Sequence, residues 1–131
     1  MTIAQVSEKY GLSEDTLRYY ERAGLIPPVP RRAGGARDYD EAACGWVEFA
    51  KCFRAAGIGV EALAEYVRLW QQGSGTAAAR KALLVRERAA LAARMAAMRE
   101  SLTRLDAKIA GYEELLAPAE AELRRLEQKR R

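Results

Sequence analysis

From Leu91 to Leu126 the residues Leu91, Met95, Met98, Leu102, Leu105, Ile109, Tyr112, Leu116, Ala119, Leu123 and Leu126 follow one another at alternating intervals of four and three. That period winds a narrow apolar seam along an α-helix, and a second helix of the same kind is what buries such a seam. A helix packed on its own domain carries a broader stripe. One chain offers one such segment, so the expected partner is a second copy, in a homodimer. Leu91, Met95, Met98, Leu102, Leu105, Ile109, Tyr112 and Leu116 are the candidate dimerisation contacts. Pro118 lies inside the repeat and cannot continue a regular helix without a kink. The long helix is therefore expected over about residues 76–117, with 118–131 as a tail or short separate helix.

The first 75 residues have a different character. Ile3 to Tyr10 reads as a short helix stopped at Gly11. Ser13 is a good N-cap for a second, with Glu14 and Asp15 in the first turn, where the helix dipole favours acids, and Gly24 as its stop. Two short helices across a Gly-Leu-Ser turn form a helix-turn-helix pattern, over about residues 3–23. The stretch "LIPPVPRRAGGARDY" is punctured by prolines and glycines and reads as a loop or small wing, about 25–39. A third helix is expected at about 40–56 and a fourth at about 60–71, separated by "GIG". The fold class is thus all-α with a small wing: one helix-turn-helix domain followed by a coiled-coil helix.

The charge pattern names a partner. The chain carries a net charge of +4, and between Thr16 and Tyr39 five arginines stand against Glu21 and Asp38. A local basic patch is the footprint of a polyanion. A recognition helix presents its N-terminal residues to base edges, which nominates Ser13, Asp15 and Thr16. Arg18, Tyr19 and Arg22 lie one to two turns on, within reach of phosphates or a guanine edge. Arg31, Arg32, Arg37 and Tyr39 are placed to grip the flanking backbone of double-stranded DNA. One of Tyr19 and Tyr20 is expected in the core.

Other function classes lose their usual residues. The chain has no histidine, the commonest general base and metal ligand, so a thiol-dependent enzyme would lack its base. No catalytic residue, metal site or cofactor is expected. No stretch reaches the roughly 18 apolar residues of a membrane span, and the N-terminus lacks a signal peptide's features. Two cysteines without an export signal point to the reducing cytoplasm. A coiled-coil adaptor binding only protein is one remaining rival, and a DNA-binding regulator that makes no use of its cysteines is another.

Taken in order, "TLRYYERAGLIPP", "RDY" and "FRAAGIGVEAL" resemble the winged helix-turn-helix regulators of the MerR family. The resemblance covers essentially the whole chain and favours Tyr19 as the tyrosine that meets DNA. It implies a dimer held by an antiparallel coiled coil on a near-palindromic promoter operator. In that family the DNA is kinked and untwisted so that RNA polymerase meets both promoter elements in register.

Cys52 is the remaining candidate. Trp46, Val47, Phe49, Ala50 and Phe53 share one arc of the third helix, and Cys52 falls on the other side with Glu41, Gly45, Glu48 and Lys51. Two readings stand on periodicity alone: a reactive thiol beside Lys51 and Arg54, or packing against the partner subunit. The stretch "WVEFAKCFRAAGIGVEALAEYVRLWQQG" resembles the aldehyde- and thiol-stress (AdhR/NmlR-like) branch, which implies Cys52 as the sensor of electrophiles or nitrosative stress. Cys44 reads as packing.

Overall fold

The computed structural model describes residues 1–130; Arg131, the last position of the expected tail, lies outside the described residues. Among the described residues there are six α-helices: α1 Ile3–Tyr10, α2 Glu14–Arg22, α3 Glu41–Ala55, α4 Val60–Gln71, α5 Ala77–Ala110 and α6 Ala117–Gln128. The chain divides into two compact units, Met1–Leu91 and the residues from Ala92 onward.

Local chemistry accounts for the first unit's boundaries. Thr2 accepts from the Gln5 amide while the Gln5 side chain accepts from the Thr2 amide, a reciprocal capping box that starts α1. Gly11 ends α1 at φ 67°, a left-handed conformation that glycine adopts without a Cβ clash. Ser13 caps α2 by accepting from the Thr16 amide at 3.0 Å, and Asp40 caps α3 by accepting from Ala43 at 2.8 Å. These termini agree with the expected ones to within a residue or two.

The wing is a tight turn and not a sheet. Its one β-bridge is the antiparallel pair Arg31–Arg37, closed by the Arg32 amide donating to the Ala36 carbonyl and the Gly35 amide to that of Arg32, both at 2.8 Å. Behind it lies the core: Val6 of α1, Leu17 and Tyr20 of α2, Leu25, Ile26 and Val29 of the connection, Val47 and Ala50 of α3 and Leu63 of α4 are all buried. Each fully buried aliphatic side chain contributes about 1.5–3 kcal/mol. Tyr20 takes the core position and Tyr19 stays exposed.

The opening turns of α5 belong to this unit. Leu83 is buried, Arg80 lies over the Tyr66 ring, and Arg86 stands 3.9 Å from Glu65.

The second unit departs from expectation in one respect. The α-helix ends at Ala110, seven residues before the expected end. Gly111 follows, and Tyr112–Leu116 form a π-helical segment before α6. The ladder stays in register across Gly111, whose amide donates to the Ala107 carbonyl at 3.0 Å and whose carbonyl accepts from the Leu115 amide at 2.9 Å; the wide-turn bond runs from the Ala117 amide to the Tyr112 carbonyl, directly before Pro118. Pro118 does not end the helix: it sits in the first turn of α6. A seam of period 3.5 therefore runs regularly only to Ile109. Tyr112 and Leu116 lie in the wider π segment, where the extra residue per turn shifts their direction. Met95, Met98, Leu102, Leu105 and Ile109 are each more than half exposed in the single chain.

Candidate DNA-binding surface

On α2, the capping Ser13 also donates from Oγ to Thr16 Oγ1 at 2.8 Å, so the two hydroxyls at the helix N-terminus are fixed relative to each other. Asp15 is exposed and pairs with Arg18 at 3.1 Å; Glu14 pairs with the same guanidinium at 3.4 Å. Exposed pairs of this kind contribute about 0–1 kcal/mol, so Arg18 can exchange them for a phosphate at little cost. One turn on, the Arg22 guanidinium lies 5.6 Å from the centre of the exposed Tyr19 ring. The cation–π contact positions both side chains on the outer face of α2.

The wing is tied to α2 by a residue that the sequence analysis counted only as charge. Glu21 receives the Arg37 Nε–H at 2.6 Å and the Val29 amide at 2.7 Å, with the Arg31 guanidinium at 3.5 Å. Its side chain is only 12% exposed. Burial pushes the carboxyl upward, but the Arg37 and Val29 hydrogen bonds and the charges of Arg37 and Arg31 outweigh it, so Glu21 titrates below its ordinary value. Both members of the wing's bridge thus converge on one carboxylate of α2. The available signal was a lone acid in a run of arginines.

Two of the expected contacts turn inward. Tyr39 is 1% exposed and belongs to the core, which corrects its assignment to the DNA surface. Its phenol is pushed up by burial, and its hydroxyl has no hydrogen-bond partner among the described residues. Arg37 is mostly buried and holds Glu21. The reason is the period of two in an extended segment, which places Arg37 and Tyr39 on one face. Here that face packs against α2. Arg31 and Arg32 remain outside, Arg32 at 3.5 Å from Asp38.

Cys52 is exposed and Cys44 is buried against the Tyr39 carbonyl, its Sγ 3.7 Å away. The cations next to Cys52 are committed elsewhere: Lys51 donates to the Tyr10 carbonyl and Arg54 to that of Ile58. Cys52 also lies in the last turn of α3, where the helix dipole opposes a thiolate. The structure therefore provides an accessible sulfur, with Lys51 and Arg54 hydrogen-bonded to backbone carbonyls. No group of three or more Cys, Asp or Glu among the described residues is arranged to hold a metal ion. None of the described helices is long and apolar enough to cross a membrane.

A capped second helix with exposed arginine and tyrosine, clamped to a basic wing, defines a winged helix-turn-helix DNA-binding protein. Residues 1–70 match the family described as MerR helix-turn-helix regulatory proteins, and residues 46–108 match its companion "MerR, DNA binding". The chain belongs to the MerR family. It is 56% identical over 88 residues to the transcriptional regulator AdhR of Bacillus subtilis (strain 168), covering 67% of this chain and 63% of AdhR. A MerR family protein from Listeria monocytogenes superposes with a TM-score of 0.78 at 42% identity, covering 100% of this chain and 99% of that one. HiNmlR, a MerR family regulator lacking the sensor domain and solved bound to promoter DNA, superposes with a TM-score of 0.71 at 27% identity, covering 88% and 92%.

Proposed function

We propose that the protein is a cytoplasmic transcription regulator that binds a near-palindromic promoter operator as a homodimer. In this reading α2 enters the major groove, with Ser13, Asp15 and Thr16 at base edges. Arg18, Tyr19, Arg22, Arg31 and Arg32 engage the backbone or a guanine edge. The seam from Leu91 to Ile109 joins two copies as an antiparallel coiled coil, and the dimer distorts the promoter for RNA polymerase. The observation that carries the reading is the Glu21 clamp: it makes helix and wing one rigid reader, as gripping DNA at two adjacent places requires.

Salt tests the electrostatic part. Operator affinity is expected to fall linearly with salt on a logarithmic plot, and Arg22→Ala or Arg32→Ala to lessen that slope by about two each, one contact from either subunit of the dimer. Fluorescence anisotropy with labelled operator measures this; no salt-sensitive operator binding would favour the protein-binding adaptor.

Cys52 is the proposed sensor, supported by its exposure and by the resemblance of the stretch around it to the aldehyde- and thiol-stress branch. Its thiol would add across the carbonyl of an aldehyde to give a hemithioacetal, the sulfur bonding to carbon and the proton passing to oxygen, or would take the nitroso group from an S-nitrosothiol, whose own thiolate leaves and accepts the proton. In vitro transcription is expected to respond to formaldehyde, methylglyoxal or a nitrosating agent in the wild type and not in Cys52→Ser, with operator binding equal in both. Normal induction of the serine variant would remove Cys52 from the mechanism.

A further inference from the structure

Within the first unit, the space between α3, α4 and the start of α5 is an aromatic-walled groove of about 420 Å³. That volume lies in the range of small-molecule pockets, roughly 300–1,000 Å³. Trp46 and Phe49 of α3 pack directly on Trp70 and Tyr66 of α4, and together they form one wall of it. The two indoles stand 4.8 Å apart at 75°, and Trp46 meets Phe49 at 5.2 Å and 75°. Edge-to-face pairs of this kind leave ring faces open for stacking. Nothing fills the floor, since a Cβ built on Gly45 would meet no atom within 4 Å. Trp70 is 45% exposed, a large apolar surface that the single chain leaves in water.

One charged side chain lines the groove. The Arg80 guanidinium lies 6.0 Å from the centre of the Tyr66 ring, and its Nε donates to Thr76 Oγ1 at 3.1 Å. Thr76 is itself fixed, its hydroxyl donating to the Leu69 carbonyl at 2.6 Å. Arg80 has no carboxylate partner among the described residues. A guanidinium aimed by a threonine, beside stacked rings and without a counter-ion, is a receptor for a planar anion.

We propose that this groove binds a small aromatic carboxylate: the ring lies against the exposed side of the Trp46–Phe49–Trp70 cluster, and the carboxylate takes the free edge of Arg80. The presence of Arg80 rules out the other occupant that aromatic walls suit, a quaternary ammonium ion, because the two cations would repel. Binding here is non-covalent and separate from Cys52, which does not line the groove. The site therefore adds a second input to the first unit.

The test uses the full chain. Trp46 and Trp70 are its only two tryptophans, so intrinsic tryptophan fluorescence reports on this groove alone. Titration with benzoate is expected to give a saturable change, with affinity for uncharged benzamide weaker by about tenfold or more, the worth of one charge-assisted hydrogen bond. Arg80→Gln should erase the difference between the two ligands, and Arg80→Lys should retain part of it. Equal binding of benzoate and benzamide would overturn the proposal, as would preference for benzyltrimethylammonium or no saturable change with benzoate. Benzoate affinity that weakens as protein concentration rises would also overturn it, because a second copy of the chain would then be the occupant.

Discussion

Changing Leu102 and Leu105 together to glutamate is expected to turn the protein into a monomer and to lower its affinity for a two-half-site operator by about 10²- to 10⁴-fold. That range is what losing the effective concentration of a linked second half-site implies. Leu102 is 59% and Leu105 54% exposed in the single chain, so neither contributes much to the folding of one copy. Burying such a side chain against a partner gains about 1.5–3 kcal/mol, and a charge there reverses the sign. Sedimentation equilibrium gives the mass, and binding to a single half-site should be unchanged from the wild type. A variant that remained dimeric would place the dimer contact elsewhere than this seam.

The second large effect is expected from Glu21→Ala. Removing the carboxylate leaves the mostly buried Arg37 guanidinium and the Val29 amide without their partner, which costs about 1–3 kcal/mol for groups of this burial. The wing loses its tie to α2, so operator binding is expected to weaken by about tenfold or more, again through the free-energy scale of that cost. Thermal unfolding and anisotropy measure the two effects. The pH dependence has a definite sign. Glu21 is held below its ordinary value of 4.5, so its stabilisation is present above that value and is lost as pH falls through the lower folded-state value. Below pH 4.5 the wild type should lose stability toward that of Glu21→Gln, and the gap between them should close. A constant gap down to low pH would show that Glu21 acts through packing and not through its charge.

Helix ends and the seam were legible because the chemistry behind them is local. Ser13 caps an amide three residues away, Gly11 and Gly24 stop helices by their own backbone freedom, and the apolar spacing repeats every three or four residues. The same local rules placed the end of the long helix next to Pro118, whereas the structure replaces that end by a π-helical segment, Tyr112–Leu116, that leads into α6 with Pro118 in its first turn. Among the tyrosines, successive helical positions point 100° apart, so only one of Tyr19 and Tyr20 could meet the core, and it was the family resemblance that favoured Tyr19 as the outer one.

By itself, the sequence determined a helix-turn-helix, a basic wing, an off-arc cysteine and an apolar seam in need of a partner. Only the tertiary structure decided which face of the wing points inward. It buried Tyr39, joined Arg37 to Glu21 across 16 positions, and committed Lys51 to a carbonyl 41 positions away. It also brought Trp46, Trp70 and Arg80 around one groove. Such contacts leave no periodic trace, because they are set by how helices pack and not by the turn-to-turn geometry within any one of them.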